Sequence, residues 1–164
     1  MAERDLEFMN QALELAREAA SRGEVPVGAI LVENERVIAS SGNSKESAFD
    51  PLGHAEIRVI QAGAQALGRW RLTGCTLYVT LEPCTMCAGA LVHARVDRVV
   101  YGATDPKAGA VESLYQILSD PRLNHRPIVE RGVLAEECSE ILTEFFAARR
   151  DAIKKANQKV DQKN

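Results

Sequence analysis

The 164-residue chain is short of aromatic residues, of long apolar runs and of positive charge. Aromatic side chains make up only 5% of it. The apolar stretches at residues 27–32 and 88–92 are far shorter than the ~18 residues that indicate a membrane-spanning helix. Its 46% hydrophobic and 26% charged residues are ordinary for a globular protein. These values exclude disordered, collagen-like and coiled-coil chains, and we expect no membrane partner.

A secretory signal is also missing, because residues 1–7 are acidic and amphipathic rather than basic and then apolar. We therefore predict a cytoplasmic protein, in which disulfides are uncommon. Cys84 and Cys87 form a C-x-x-C pair, which indicates metal or redox chemistry. Cys75 and Cys138 have mixed apolar neighbours and are expected to be small buried residues.

At this length we expect one domain, residues 1–156, followed by a poorly ordered tail, residues 157–164. The net charge of −3 is unevenly distributed. Residues 145–164 carry six basic side chains against two acidic ones, so the rest of the chain has a net charge of −7. A basic end on an acidic body fits either a contact with a polyanion or a solvated helix end, and charge alone favours the second.

Residue periodicity predicts alternating helices and strands. The predicted helices span residues 3–21, 54–67, 84–94, 112–118 and 134–156. The predicted strands span residues 27–32, 36–40, 76–81, 98–102 and 128–130. The first two strands form an antiparallel hairpin, and strands separated by helices favour parallel pairing. The fold class is therefore α/β, with one five-stranded mixed sheet between helices on both faces.

Two short segments concentrate the residues that carry chemistry: His54-Ala55-Glu56 and Pro83-Cys84-Thr85-Met86-Cys87. Zinc takes nitrogen and sulfur ligands in a tetrahedron, and cysteines three apart on a first helical turn can reach one ion. The pattern predicts zinc held by His54, Cys84 and Cys87, with the fourth position left open as in catalytic sites. Glu56 is then predicted to carry protons and not to bind the metal.

Two other uses of these residues stay open. A structural zinc site would need a fourth protein ligand, from Cys75, Cys138, His93 or His125, although none of these has a second short ligand spacing beside it. A thioredoxin-like dithiol would use the C-x-x-C pair but has no need of a distant His-x-Glu.

The His-x-Glu and Pro-Cys-x-x-Cys segments together resemble the zinc-dependent cytidine/adenosine deaminase superfamily. Further segments are similar to its bacterial tRNA-specific adenosine deaminase branch: residues 24–29, 81–90 and 98–103, Asn124-His125, and Phe145-Phe146 before Arg149-Arg150. The resemblance covers residues 5–150. It implies a three-layer α/β/α cytidine-deaminase-like fold, a homodimer with one Zn²⁺ per subunit, and deamination of adenosine to inosine at the wobble position (34) of a tRNA anticodon, usually that of tRNA-Arg.

The resemblance also implies roles for residues outside the metal site. Val25 corresponds to a wall of the substrate pocket, and Asn43 to an asparagine that contacts the flipped nucleotide. Asp105 and Lys107 correspond to a loop that touches nucleotides beside the target. The remaining residues correspond to a surface for the anticodon stem-loop: Asn124, His125, Phe146, Arg149 and Arg150.

Two rival functions keep part of this pattern. A deaminase of free nucleotides, nucleosides or bases with cytosine or guanine rings would share the metal site, but it has no need of a basic C-terminal helix. A non-catalytic, zinc-stabilised RNA-binding module would need four closed ligands. One departure from the family pattern is Leu52-Gly53, where a small polar residue and alanine are expected; we expect Gly53 to loosen the start of the following helix.

Overall fold

The computed structural model describes residues 3–161, which form four α-helices around a five-stranded sheet. The helices are α1 (Glu3–Ser21), α2 (Ala55–Leu67), α3 (Thr85–Ala94) and α4 (Ala135–Asp161). The strands are β1 (Gly28–Glu33), β2 (Arg36–Gly42), β3 (Cys75–Leu81), β4 (Arg98–Ala103) and β5 (Ile128–Arg131). Within these residues no helix is long and apolar enough to cross a membrane.

The strands lie in the order β2-β1-β3-β4-β5. β1 pairs antiparallel with both β2 and β3, whereas β3 with β4 and β4 with β5 are parallel pairs. The β1–β2 turn places Asn34 and Glu35 at φ 48° and 61°, the two positive values that a two-residue hairpin turn requires. The mixed sheet with an antiparallel hairpin on one side confirms the predicted α/β class.

Side chains along the strands alternate between two apolar cores. On β3, Leu77 and Val79 pack with α2 and α3, whereas Tyr78 faces α1 and α4. On β4, Val99 points to the first core and Val100 to the second. This period of two is the geometry of a strand buried on both faces, and it gives the three-layer α/β/α arrangement. Cys75 and Cys138 are fully buried, as expected.

A largely buried polar cluster ties α1 to the middle of β3 and the start of β4. Arg98 donates two hydrogen bonds of 2.8 Å to the Asp5 carboxylate, and the Tyr78 hydroxyl donates another at 2.8 Å. Burial, and then the bond to Asp5, raise the pKa of Tyr78 to about 12. This cluster lies at the opposite end of the strands from the loops that follow β3 and β4.

Two predicted helices differ from the structure. Residues 112–118 were predicted to be helical, but they form turns that lead into a short 3₁₀ segment, Ile117–Ser119. The backbone N–H groups of Leu114 and Ile117 donate to the carbonyls of Gly109 and Ala110, five and seven residues back, and so do not form the four-residue ladder of an α-helix. Helix α4 continues to Asp161, beyond its predicted end at residue 156. Residues 162–164 of the predicted tail lie outside the described residues, and the division into domain and tail stays a prediction.

Candidate active site

The candidate site lies at one edge of the sheet, where four segments of the chain meet. β3 and β4 are parallel and end there, β1 begins there because it runs the other way, and β2 ends there. Val25 and Val27 come just before β1, and Asn43 comes just after β2. Cys84 follows β3, and Asp105 follows β4. The carboxyl ends of parallel strands are a usual place for a site in an open α/β sheet.

Three side chains of types that bind metal ions converge at this edge. His54 Nδ1 lies 3.6 Å from Cys84 Sγ and 3.4 Å from Cys87 Sγ, and the three ligand atoms are all within 4.8 Å of one another. Zn–S and Zn–N bonds of about 2.3 and 2.05 Å in a tetrahedron give an N···S separation of about 3.6 Å. The donor set and its spacing therefore fit one zinc ion.

The two helix starts bring these ligands together. His54 and Cys84 occupy the N-cap positions of α2 and α3, and Cys87 lies in the first turn of α3. Hydrogen bonds from the Cys87 thiol, and then from His54, lower the pKa of Cys84 to about 3. The bond to Cys84 raises the pKa of His54. A hydrogen bond with Cys84, together with burial, raises the pKa of Cys87. A thiolate is thus favoured at Cys84, as metal binding requires.

The alternative ligands do not join this group. Cys75 and Cys138 are buried in the two cores, His93 is exposed, and His125 Nε2 donates a hydrogen bond to the carbonyl of Val96 at 2.6 Å. Among residues 3–161, His54, Cys84 and Cys87 form the one cluster of potential ligands. None of these four residues can therefore act as a fourth zinc ligand, and the hypothesis of a structural zinc site with four protein ligands has no support within residues 3–161.

Glu56 lies beside this cluster and is 4% exposed. Burial raises the pKa of Glu56 to about 7, although the hydrogen bond to its own backbone N–H and the nearby His54 act in the opposite direction. It lines the same cavity as His54 and Cys84. A carboxyl group in this position can hold or release a proton at neutral pH, as general acid–base catalysis requires.

The cavity has a volume of about 150 Å³. Its walls come from all four segments at this edge: Val25, Val27, Asn43, Lys45, His54, Glu56, Leu81, Glu82, Cys84, Asp105 and Ala108. Pockets for drug-sized ligands measure ~300–1,000 Å³. The space therefore suits one small planar ring system, with the remainder of a larger substrate lying outside. A larger groove of about 1,050 Å³, lined by β4, Glu112 and α4, lies away from the three ligands.

Asn43 is buried, and its Oδ1 accepts a hydrogen bond from the Ala55 N–H at 2.9 Å. This bond satisfies one of the free N–H groups at the start of α2. Gly53 does not loosen that helix start: it is buried, it donates to Asp50 and accepts from Ser44, and a methyl group on it would lie 2.6 Å from the Ser44 carbonyl. The expectation about Gly53 was therefore wrong, because close packing of the preceding loop requires a residue without Cβ.

Asp105 and Lys107 lie in the loop after β4 but face different surroundings. Asp105 lines the cavity, and its Oδ1 accepts from the backbone N–H groups of Lys107 and Ala108 at 3.0 and 3.2 Å. The side chain of Lys107 is exposed and is not part of the cavity wall.

The residues predicted to form an anticodon surface are spread over two parts of the molecule. Asn124 and His125 precede β5, whose first residue pairs with Arg98 at the start of β4. They therefore lie at the other end of the parallel strands, about 20 Å from the metal ligands at ~3.3 Å per residue. Phe146, Arg149 and Arg150 are exposed on α4, and Arg149 lies 5.3 Å from the Phe145 ring centre.

Two buried carboxylates near the site were not predicted. Glu24 accepts hydrogen bonds from the N–H groups of Lys45, Glu46 and Ser47 at 2.7–3.2 Å. Glu82 is held in the same manner by the loop after β4. In each case burial acts to raise the pKa, but the hydrogen bonds outweigh it and the pKa is lowered. The available signal was an acidic residue among apolar neighbours and close to a proline.

The fold and the arrangement of His54, Cys84, Cys87 and Glu56 define a deaminase of the cytidine-deaminase-like class. A MafB19-like deaminase family model matches residues 3–150. A tRNA-specific adenosine deaminase of Agrobacterium fabrum is 53% identical over 150 residues, covering 92% of this chain and 98% of the relative, and one of Bacillus subtilis is 46% identical, covering 94% and 96%. The chain belongs to the tRNA-specific adenosine deaminase family.

One solved structure is similar in both sequence and fold, and a second is similar in fold. A structure from a study of A-to-I editing by tRNA:A34 deaminases at the wobble position has a TM-score of 0.81 and 53% identity, covering 83% of this chain and 99% of the other. A guanine deaminase from Nitrosomonas europaea has a TM-score of 0.72 at 24% identity, covering 89% and 85%, which shows the fold alone.

Proposed function

We propose that this enzyme converts adenosine to inosine by hydrolysis at position 34 of a tRNA anticodon, with tRNA-Arg as the substrate and one Zn²⁺ per subunit, and that it acts as a cytoplasmic homodimer. The observation that carries the proposal is the meeting of His54, Cys84, Cys87 and buried Glu56 at a cavity with room for one nucleobase. The names of relatives that match over nearly the whole chain support tRNA as the substrate.

His54, Cys84 and Cys87 would hold the zinc. Bound there, zinc supplies Lewis-acid activation of water at neutral pH. Glu56 takes a proton from the attacking water and delivers it to N1 of the adenine as oxygen adds to C6. It then takes the proton of the new C6 hydroxyl and passes it to the amino group, so that C6=O forms as the C6–N bond breaks, and adenosine and water give inosine and ammonia.

The narrow cavity requires the target nucleotide to leave the base stack, which costs least in a single-stranded loop. Val25 would pack against the inserted ring, and Asn43 would hold it through its amide nitrogen, since its oxygen already caps α2. Asp105 and Lys107 would contact the flanking nucleotides, and Phe146, Arg149 and Arg150 the rest of the anticodon loop. Asn124 and His125 lie at the other end of the parallel strands from the cavity, so they would contact RNA beyond the target nucleotide and not the inserted base.

The decisive experiment compares three substrates under the same conditions. These are an anticodon stem-loop with adenosine at the wobble position, a stem-loop with that adenosine moved by one position, and free adenosine. We expect kcat/KM to be far higher on the first, because binding energy from remote nucleotides raises turnover as well as affinity. Comparable rates on free adenosine, or preference for a cytosine or guanine ring, would contradict the tRNA assignment and leave the deaminase class standing. Stem-loops from several tRNAs then test the preference for tRNA-Arg.

A further inference from the structure

The segment that carries Cys84 is joined to the loop after β4 by one buried side chain. Glu82 lies between the end of β3 and the Pro83-Cys84 segment and is 2% exposed. Its carboxylate accepts hydrogen bonds from both ends of the loop formed by residues 104–113, here called the β4 loop. The donors are the N–H groups of Asp105 (2.9 Å), Val111 (3.1 Å), Glu112 (2.8 Å) and Ser113 (2.9 Å), and the Ser113 hydroxyl.

The backbone reinforces this connection. The Glu82 N–H donates to the Ala103 carbonyl at 2.8 Å, the Ala110 N–H donates to the Pro83 carbonyl at 2.8 Å, and Cys84 forms a β-bridge with Gly109. Gly109 packs so closely that a methyl group there would overlap the Glu82 carboxylate. The β4 loop therefore packs directly against the Glu82 carboxylate and donates hydrogen bonds to it.

The same loop forms part of the cavity wall through Asp105 and Ala108. The Asp105 carboxylate is used within the loop, where it accepts from Lys107 and Ala108 N–H groups. The position of this wall thus depends on the Glu82 bonds, because the Asp105 N–H is one of their donors. Glu82 borders the cavity too, but it is only 2% exposed, and its carboxylate already accepts five hydrogen bonds from the β4 loop.

We propose that Glu82 is a positioning residue for substrate specificity: its carboxylate fixes the β4 loop against the metal-ligand segment, so that the loop is already shaped for the nucleotides beside the target base. This inference rests on the proposed tRNA function. It assigns Glu82 no part in proton transfer or metal binding. Loss of the carboxylate is expected to weaken RNA binding more than it slows the chemical step, because loop order contributes to contacts that are already made before the reaction.

The test uses Glu82→Gln in the full chain. Glutamine keeps the size of the side chain but puts an NH₂ donor against backbone N–H groups. We expect the KM for the anticodon stem-loop to rise by about tenfold or more, with kcat changed less than threefold, since hydrogen bonds to a charged group are worth this much. Zinc content is expected to stay at one per chain. In hydrogen exchange, the amides of Asp105 and residues 111–113 are expected to exchange faster.

Two further variants keep the test decisive if Glu82→Gln folds poorly. Ser113→Ala removes one hydrogen bond of the five and should give a smaller rise in KM. Gly109→Ala leaves the carboxylate intact but pushes the loop away from it, so it should by itself raise KM with little change in kcat. The matched control is Asp5→Asn, a buried carboxylate at the far end of the strands, which should lower thermal stability without raising KM.

The outcomes separate this inference from the function on which it rests. Wild-type protein that fails to deaminate any stem-loop overturns the proposed function, and this inference with it. Wild-type turnover with an unchanged KM in all three β4-loop variants overturns the positioning role alone. Equal losses of kcat and unchanged KM would also overturn it, because that pattern indicates a direct effect on the chemical step.

Discussion

The side-chain oxygen of Asn43 accepts a hydrogen bond from the Ala55 N–H at 2.9 Å, so the residue after β2 caps the helix that carries Glu56. Substitutions of Asn43 can distinguish its role as a helix cap from a contact with the substrate. Asn43→Asp keeps an acceptor for Ala55 but removes the amide donor, whereas Asn43→Ala removes both. We expect Asn43→Ala to cost about 1 kcal/mol of folding stability, as for removal of a helix cap, and Asn43→Asp to cost less. If Asn43 holds the target nucleotide, KM should rise in both; thermal unfolding and steady-state kinetics on the stem-loop measure the two effects.

Glu56 is expected to be needed for turnover but not for metal binding. Glu56→Gln retains the size of a buried side chain and removes the carboxylate that moves protons. Turnover should fall by about 10²-fold or more, with zinc content and melting temperature near those of the wild type. The measurement is single-turnover deamination alongside metal analysis. A near-wild-type rate with zinc bound would show that Glu56 is not the proton carrier.

The two kinds of cysteine in this chain should respond differently to substitution. Cys84→Ser is expected to abolish stoichiometric zinc binding, because an oxygen replaces one of the three ligands that meet within 4.8 Å. Cys75→Ser serves as the control, since Cys75 is buried in the core and separate from the cluster. It should lose some stability but keep one zinc per chain. Full zinc occupancy in Cys84→Ser would contradict the proposed ligand set.

Glu24 predicts a specific dependence of stability on pH. Its pKa is lowered in the folded protein, below the ordinary value of about 4.3, by the N–H groups of the loop after β2. A lowered pKa gives stability that is present above the unfolded value and is lost as pH falls through the folded one. The wild type should therefore lose more stability than Glu24→Gln as pH falls from about 5 to 3.

Thermal unfolding of both proteins across this range measures the difference. Both should be metal-free, so that acid release of zinc does not contribute. Parallel pH curves for the two proteins would mean that Glu24 is not an ionised anchor in the folded state.

Most of the fold was predictable because its elements have clear periodicity and ends. The hairpin, the parallel strands and helices α1–α3 lie within one or two residues of their predicted bounds. The failure at residues 112–118 has a tertiary cause: the local pattern favours a helix, but the segment is anchored to the distant Glu82 carboxylate. Its later N–H groups, those of Leu114 and Ile117, donate to Gly109 and Ala110 and not to carbonyls four residues back. No local pattern contains that information.

The convergence of His54, Cys84 and Cys87 was also predictable, because these residues belong to two short sequence motifs that lie at helix starts. What could not be read from the sequence is which residues support them. In the sequence, Glu82 stands out only as a member of segment 81–90, which is similar to the family. Its five hydrogen-bond donors come from a loop that is more than twenty residues further along the chain. The sequence also does not show that Asn124 and His125 are far from the cavity. That distance follows from the position of the start of β5, which lies at the other end of the sheet.

Helix α4 supplies the last test, which concerns binding of RNA phosphates. Arg149 and Arg150 are exposed on a helix whose residues 148–160 are all exposed, while Arg149 also lies over the Phe145 ring. Replacing both arginines by alanine should weaken stem-loop binding more at low salt than at high salt, because binding to phosphates releases counterions and is screened by salt. The slope of log affinity against log salt should become shallower by roughly 0.7–0.9 for each phosphate that the variant no longer neutralises. Arg69 and Arg71, exposed at the opposite end of the sheet, provide a charge-matched double-alanine control. Equal affinities of the α4 variant and the wild type at low salt would mean that these arginines only solvate the helix.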